Sequence, residues 1–194
     1  MEIIAATNNV NKLKEIREIF EGVTILSLKD AGIECDPEEN GSTFEENALI
    51  KARAIFEIAK KPVLSDDSGL IVYALDGAPG IQSARYAGVH GDNDANNEKL
   101  LRELCDKVVR RAEFVSVVAF VSSSHCFTAT GSVKGEILMQ KVGDKGFGYD
   151  PLFYSYDISK SFGVASSQEK NSVSHRGRAL NNLRKILTEN KVLL

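Results

Sequence analysis

The sequence predicts an α/β fold: a mixed β-sheet flanked by helices. Three observations carry this. Helix-period segments alternate with short apolar runs through the first half of the chain. The second half holds a long hairpin pattern, EFVSVVAFVSS followed by CFTATGSVKGEIL. No linker-like stretch separates the halves, so residues 1–194 read as one domain, and a second lobe would be an outgrowth of the same sheet.

The elements follow in order. IIAA (3–6) reads as a short buried strand. NKLKEIREIF follows with Leu13, Ile16 and Phe20 at helical spacing and Gly22 as a stop. TNNVN is therefore a strand-to-helix turn. TILSL (24–28) is a second strand. The polar loop ECDPEENGS leads to a helix from Thr43 to Lys60, opened by the capping box Thr43-x-x-Glu46. Its apolar face is Phe44, Ala48, Ala52, Ile55, Phe56 and Ala59, with Lys51 on the other side. PVLS and LIVYAL are strands flanking Asp66 and Asp67. Asp92 to Lys107 is a helix with Leu100, Leu101 and Leu104 inward. The hairpin turns at Ser123–His125. GDKGFGYDPLF is a glycine-rich loop. A last helix, Ser174 to Thr188, faces inward through Leu180, Leu183 and Leu187.

Composition excludes several function classes. The net charge of -3 and the lack of a basic block argue against binding duplex nucleic acid through its phosphates. A small polyanion, met by a few placed cations or a metal, remains possible. Three scattered cysteines make no CxxC pair, against a disulfide framework or zinc site and for a reducing compartment. The opening MEIIAATNN turns polar at Thr7 and reads as no signal peptide. The most apolar stretch, VSVVAFV, is far too short to span a bilayer. The expectation is a cytoplasmic protein without membrane or nucleic-acid partners.

Four constellations suggest chemistry. TNNVNK (7–12) places a helix N-terminus and Lys12 where an anion would bind, although Asn9 or Asn11 would also serve as plain caps. Asp66 and Asp67, with Glu38 and Glu39 earlier in the chain, could hold a hard divalent cation; a solvated DDSG turn is the alternative. Successive residues on an extended chain point to opposite faces, so the two aspartates would not share one job. GFGYDPLF offers Phe147 and Tyr149 for stacking, with Asp150 set before a proline, or a turn that packs its rings inward. In SHRGRA, Ser174 is a natural N-cap, while His175 and Arg176 stand in a first turn where the dipole disfavours cations. His90 and His125 read as loop residues.

With these motifs in one order (TNNVNK, GSTFEENALIKA, LSDDSGL, GAPGIQSARYAG, GFGYDPLF, EKNSVSHRGRAL), the whole chain resembles the inosine triphosphate pyrophosphatases, the Ham1-like family. Asn8 departs from the T-G-N form usual at the first turn. The resemblance implies an elongated α/β fold of two lobes with the active site in a cleft between them, and a homodimer. It implies Mg2+-dependent hydrolysis, with Mn2+ as a substitute, of purine nucleoside triphosphates that carry hypoxanthine or xanthine (ITP, dITP, XTP), giving the monophosphate and pyrophosphate. It places Thr7, Asn8, Asn9, Val10, Asn11, Lys12 and Lys51 on the triphosphate. Glu39 and Asp67 fall on the metal, with Asp67 also accepting the proton, and Asp66 orients the metal's waters. Ser68, Phe147, Gly148, Tyr149, Asp150, Lys170, His175 and Arg176 fall on the nucleoside. Two rivals are a Maf-like pyrophosphatase of modified pyrimidine nucleotides, disfavoured by SHR with GFGYDP, and a nucleotide sensor that does not hydrolyse.

Overall fold

The computed structural model describes residues 1–193; the expected single domain ends at position 194, which lies outside them. The chain runs β1 (Glu2–Ala5), α1 (Val10–Ile19), β2 (Thr24–Leu26), α2 (Phe44–Ala59), β3 (Val63–Val72), α3 (Asn93–Glu103), β4 (Arg111–Val121), β5 (Cys126–Ile137), β6 (Phe153–Ser155), β7 (Lys160–Ser161), α4 (Ser167–Val173) and α5 (His175–Glu189). The seven strands form one sheet in the order β2-β1-β3-β4-β5-β6-β7. β1 pairs in parallel with β2 and β3, whereas β5, β6 and β7 pair antiparallel. The expected mixed sheet is present.

The residues group into two compact units. The first comprises Met1–Asp67, Ser116–Gly131 and Arg176 onward; the second comprises Ser68–Val115 and Ser132–His175. In the first unit, period-2 alternation sorts neighbouring strand residues onto opposite faces. Ile3, Leu64, Val118 and Phe120 pack with Ile16 and Phe20 of α1 and with Leu180, Leu183 and Leu187 of α5. Ile4, Val63, Val117 and Ala119 pack with Ala48, Ala52 and Ile55 of α2. The second unit has its own core, in which Leu70, Val72, Phe114, Val133, Leu152, Phe153 and Phe162 pack with Leu100 and Leu104 of α3.

Three expectations need correction. The acidic pair does not separate two strands: β3 runs unbroken through Val63–Val72 with Asp66 and Asp67 inside it. DDSG is good turn chemistry, but Leu64 and Leu70, both fully buried, hold the backbone extended on either side. The stretch before the last helix is a separate helix, α4, whose Ser166–Glu169 capping box is complete. Ser174 is the C-cap of α4 and also the residue immediately before α5, which starts at His175, so it keeps the expected N-cap position. Lastly, Lys51 is not on the far side of α2: three residues after Ala48 and four before Ile55, it shares their face and is buried with them.

Candidate active site

Alternation along β3 places Asp66 and Asp67 in two different environments. Asp66 lies on the face shared with α1 and α5. It is 1% exposed and is surrounded by cations. Lys12 Nζ approaches Oδ1 at 2.6 Å. Arg176 Nε donates to Oδ2 at 3.1 Å, and the Ser116 hydroxyl donates to the same oxygen at 2.6 Å. Arg176 also donates through Nη1 to Glu15 Oε2 at 2.7 Å. Burial alone would raise the Asp66 carboxyl; Arg176 and Lys12 together outweigh it and hold the group well below the usual carboxylate range. Burial lowers the Lys12 ammonium despite Asp66. Asp66 is thus a fixed negative charge.

Asp67 lies on the α2 face and has the opposite character. Burial raises its carboxyl above the ordinary value; Lys51 opposes that shift and Glu39 adds to it. Lys51 Nζ donates to Glu39 Oε1 at 2.5 Å and to the Asp66 carbonyl at 2.8 Å, and stands 3.7 Å from Asp67 Oδ1. These three oxygens explain why a lysine is tolerated on the buried face of α2. Beside it, Ser65 ties β3 to α2 by donating to the Ala48 carbonyl at 2.6 Å.

The first turn sits at the start of α1. Asn9 caps the helix, its Oδ1 accepting from the Asn11 and Lys12 N–H groups at 2.9 and 3.2 Å. Thr7 Oγ1 accepts from Asn9 N–H at 3.1 Å. The capping alternative therefore holds, and Asn8, Asn9, Val10 and Asn11 remain exposed. No acidic residue stands in the first helical turn, so the positive end of the dipole has no local counter-charge there. A cavity of about 680 Å3 opens beside it, lined by Asn8, Lys29 and residues 32–36.

The remaining expected residues fall in the second unit, apart from Arg176. Ser68 follows Asp67 on β3 and is half-buried. The 146–150 loop folds around the Asp150 carboxylate, which accepts from Phe147 N–H at 2.8 Å and from Lys170 Nζ at 2.7 Å. Gly146 must be glycine: its φ is +77°, and a Cβ there would lie 2.1 Å from Asp150 Oδ2. Asp150 is only 2% exposed and supports the loop from within. Lys170, on α4, also lies 4.5 Å from the centroid of the half-buried Phe147 ring. Tyr149 is buried, its hydroxyl donating to the Ser83 carbonyl at 2.9 Å. His175 stacks on Phe114, with ring centroids 4.7 Å apart and 13° between planes. Arg176 departs most from the expected nucleoside set, because its guanidinium is spent on Asp66 and Glu15.

Glu15, Ser116 and Asn97 were not expected. Glu15 had a signal: it stands three residues after Lys12, on the same helix face. Ser116 had none, being one small residue in an apolar strand.

Among the described residues, no group of three or more His, Cys, Asp or Glu forms a ready-made metal cage. The pair Glu39 and Asp67 nevertheless suits a hard cation that keeps waters and phosphate oxygens as its other ligands. The Lys51 ammonium already occupies the cationic position between them.

A model of the Ham1 family matches residues 3–186. The chain belongs to the Ham1 family. It is 48% identical to a dITP/XTP pyrophosphatase of Clostridium perfringens, over 94% of this chain and 95% of that one. It is 46% identical to a dITP/XTP pyrophosphatase of Treponema denticola, over 93% and 95%. Among solved structures, the Staphylococcus aureus Ham1 protein superposes with a TM-score of 0.89 at 41% identity, covering 98% of this chain and all of that one. This Ham1 member thus shares the architecture as well as the motifs.

Proposed function

We infer that this chain is a nucleoside-triphosphate pyrophosphatase that hydrolyses hypoxanthine- and xanthine-bearing purine nucleotides, dITP and XTP above all, to the monophosphate and pyrophosphate. The observation that carries the chemistry is the division of labour between adjacent aspartates. Asp66 is a permanently ionised anchor for Lys12. Asp67, its carboxyl raised above the ordinary value by burial, is suited to accept a proton from a water. Relatives named for this activity, at 46–48% identity, support the substrate class.

In the proposed reaction a water attacks the α-phosphorus, the bond to the bridging oxygen breaks, and pyrophosphate leaves. Asp67 accepts the water's proton. Lys12 and Lys51 take up the charge that develops on the leaving group, and the exposed turn 7–11 receives the phosphates. Glu39 and Asp67 would hold Mg2+, or Mn2+ in its place, whose chemistry is to neutralise phosphate oxygens and lower the pKa of a bound water.

The base is assigned to Phe147, stacking on the part of the ring left open, with Lys170 beside that ring and Ser68 and His175 in the same unit. Hypoxanthine and xanthine carry an N1–H donor and an O6 acceptor, and adenine reverses both. A backbone acceptor of the 146–150 loop and the His175 donor would read that pattern, with about 1–3 kcal/mol against each unsatisfied group. Asp150 holds that loop in place, and Arg176 holds Asp66. A cytoplasmic homodimer is the expected state.

Pyrophosphate release with Mg2+ is the direct test. Turnover of dITP and XTP should far exceed that of dATP. Preference for dUTP would point to a pyrimidine enzyme, and binding without release to a sensor; either would overturn the reading. Phe147→Ala should weaken dITP affinity while inhibition by inorganic tripolyphosphate stays nearly unchanged. Equal loss for both ligands would mean the ring only packs.

A further inference from the structure

Resting on the base assignment above, we propose that Asn97 is a positioning residue for nucleobase recognition: its side-chain donor fixes the carbonyl of Gly148, and so the placement of the Phe147 ring.

Asn96 and Asn97 are adjacent on α3, and each is only 2% exposed. Asparagine is a poor helix former, and burying two neighbouring amides is unfavourable unless their bonds are made. Both are used to hold loops. Asn96 Oδ1 accepts from Ala87 N–H at 2.7 Å, and its Nδ2 donates to the Ala84 carbonyl at 3.3 Å. Asn97 Nδ2 donates to the Gly148 carbonyl at 3.0 Å, across 51 residues of sequence. Asn97 Oδ1, also buried, has no hydrogen-bond partner among the described residues. An apolar side chain would avoid that orphaned acceptor. The donor is what the position provides.

The loop shows why a donor is needed there. Phe147 stands between two glycines at positive φ, Gly146 at +77° and Gly148 at +62°. Each is a point where the backbone has wide conformational freedom. On the Gly146 side the Asp150 carboxylate grips the Phe147 N–H. On the other side, Gly148 has no side chain with which to anchor itself, and Asn97 holds its carbonyl. One residue further, Tyr149 is tied to Ser83. The Phe147 carbonyl accepts from Asp150 N–H at 3.2 Å, and Asn97 adds the hold on the next peptide, between Gly148 and Tyr149, where the second positive-φ glycine would otherwise let the loop turn.

The test compares Asn97→Asp, which keeps the shape but presents a carboxylate to the carbonyl, with Asn97→Leu. Both variants should speed amide hydrogen exchange across residues 146–150 in the free protein. Both should raise KM for dITP about tenfold, the scale of one buried carbonyl left unsatisfied, with kcat within about threefold of wild type. Inhibition by inorganic tripolyphosphate should not change. In a Phe147→Ala background the same substitutions should add little to KM, because the ring they position is gone. Wild-type exchange and wild-type KM in Asn97→Asp would overturn the proposal. So would an additive effect in the Phe147→Ala background, or faster exchange spread evenly through α3 and the surrounding core. If wild-type protein neither binds nor hydrolyses dITP while the variants still loosen the loop, the base assignment fails and the tie between Asn97 and Gly148 stands.

Discussion

Asp67→Asn is expected to abolish most turnover while leaving the fold at least as stable at neutral pH. The two halves of that expectation share one cause. Burial disfavours the ionised carboxylate, so the carboxyl of the folded protein holds its proton to higher pH than in the unfolded chain. Ionisation above the unfolded value therefore works against folding, and a neutral amide of the same shape removes that penalty. Lys51 does not lose its setting, since it still donates to Glu39 and to the Asp66 carbonyl. The catalytic loss is separate: an amide cannot take the proton of the attacking water and is a poorer ligand for a divalent cation. Removing a general base is worth about 10²–10⁴ in rate. Pyrophosphate release from dITP should fall by at least that much, with an unchanged or raised melting temperature. Turnover within about tenfold of wild type would remove Asp67 from the chemistry.

Much of this architecture could be read from the sequence, and the failures share a physical origin. Period-2 alternation correctly gave Asp66 and Asp67 different faces, and so different surroundings. What hid the continuous strand was the residue chemistry of DDSG, which read locally is a turn. Tertiary packing of Leu64 and Leu70 overrides that local preference, as the cations around Asp66 offset its burial. Lys51 belongs to the buried face of α2, three residues after Ala48 and four before Ile55; its charge suggested the opposite side, and acceptors from β3 and from the loop before the helix are what let it stay inside. Asn97 was invisible for a similar reason. Its partner lies 51 positions away, and an asparagine in a polar helical segment carries no sign that its amide points inward. Arg176 shows the opposite case. Its unfavourable place in a helix's first turn was legible as a local violation, but the buried carboxylates that make it tolerable come from α1 and β3.

Asp66→Asn should be the more damaging change to the protein itself. The wild-type carboxylate balances two cations, half-buried Lys12 at 2.6 Å and fully buried Arg176 at 3.1 Å, and accepts from Ser116. Asparagine fits the space but withdraws the charge. Arg176 keeps Glu15, whereas Lys12, whose ammonium burial already disfavours, is left facing an amide. Breaking a buried ion pair from one side is worth about 3–5 kcal/mol, and a chain of this size loses about 2–4 °C of melting temperature per kcal/mol. The loss should depend on pH in a set direction. The folded-state pKa of Asp66 lies below its unfolded value, so its stabilisation is complete above about pH 4, the ordinary aspartate range, and is lost as pH falls through the folded value. Thermal unfolding of wild type and variant should therefore differ most at neutral pH and converge in acid. A gap that is constant with pH, or a variant as stable as wild type at pH 7, would show that the cations around Asp66 do not depend on its charge.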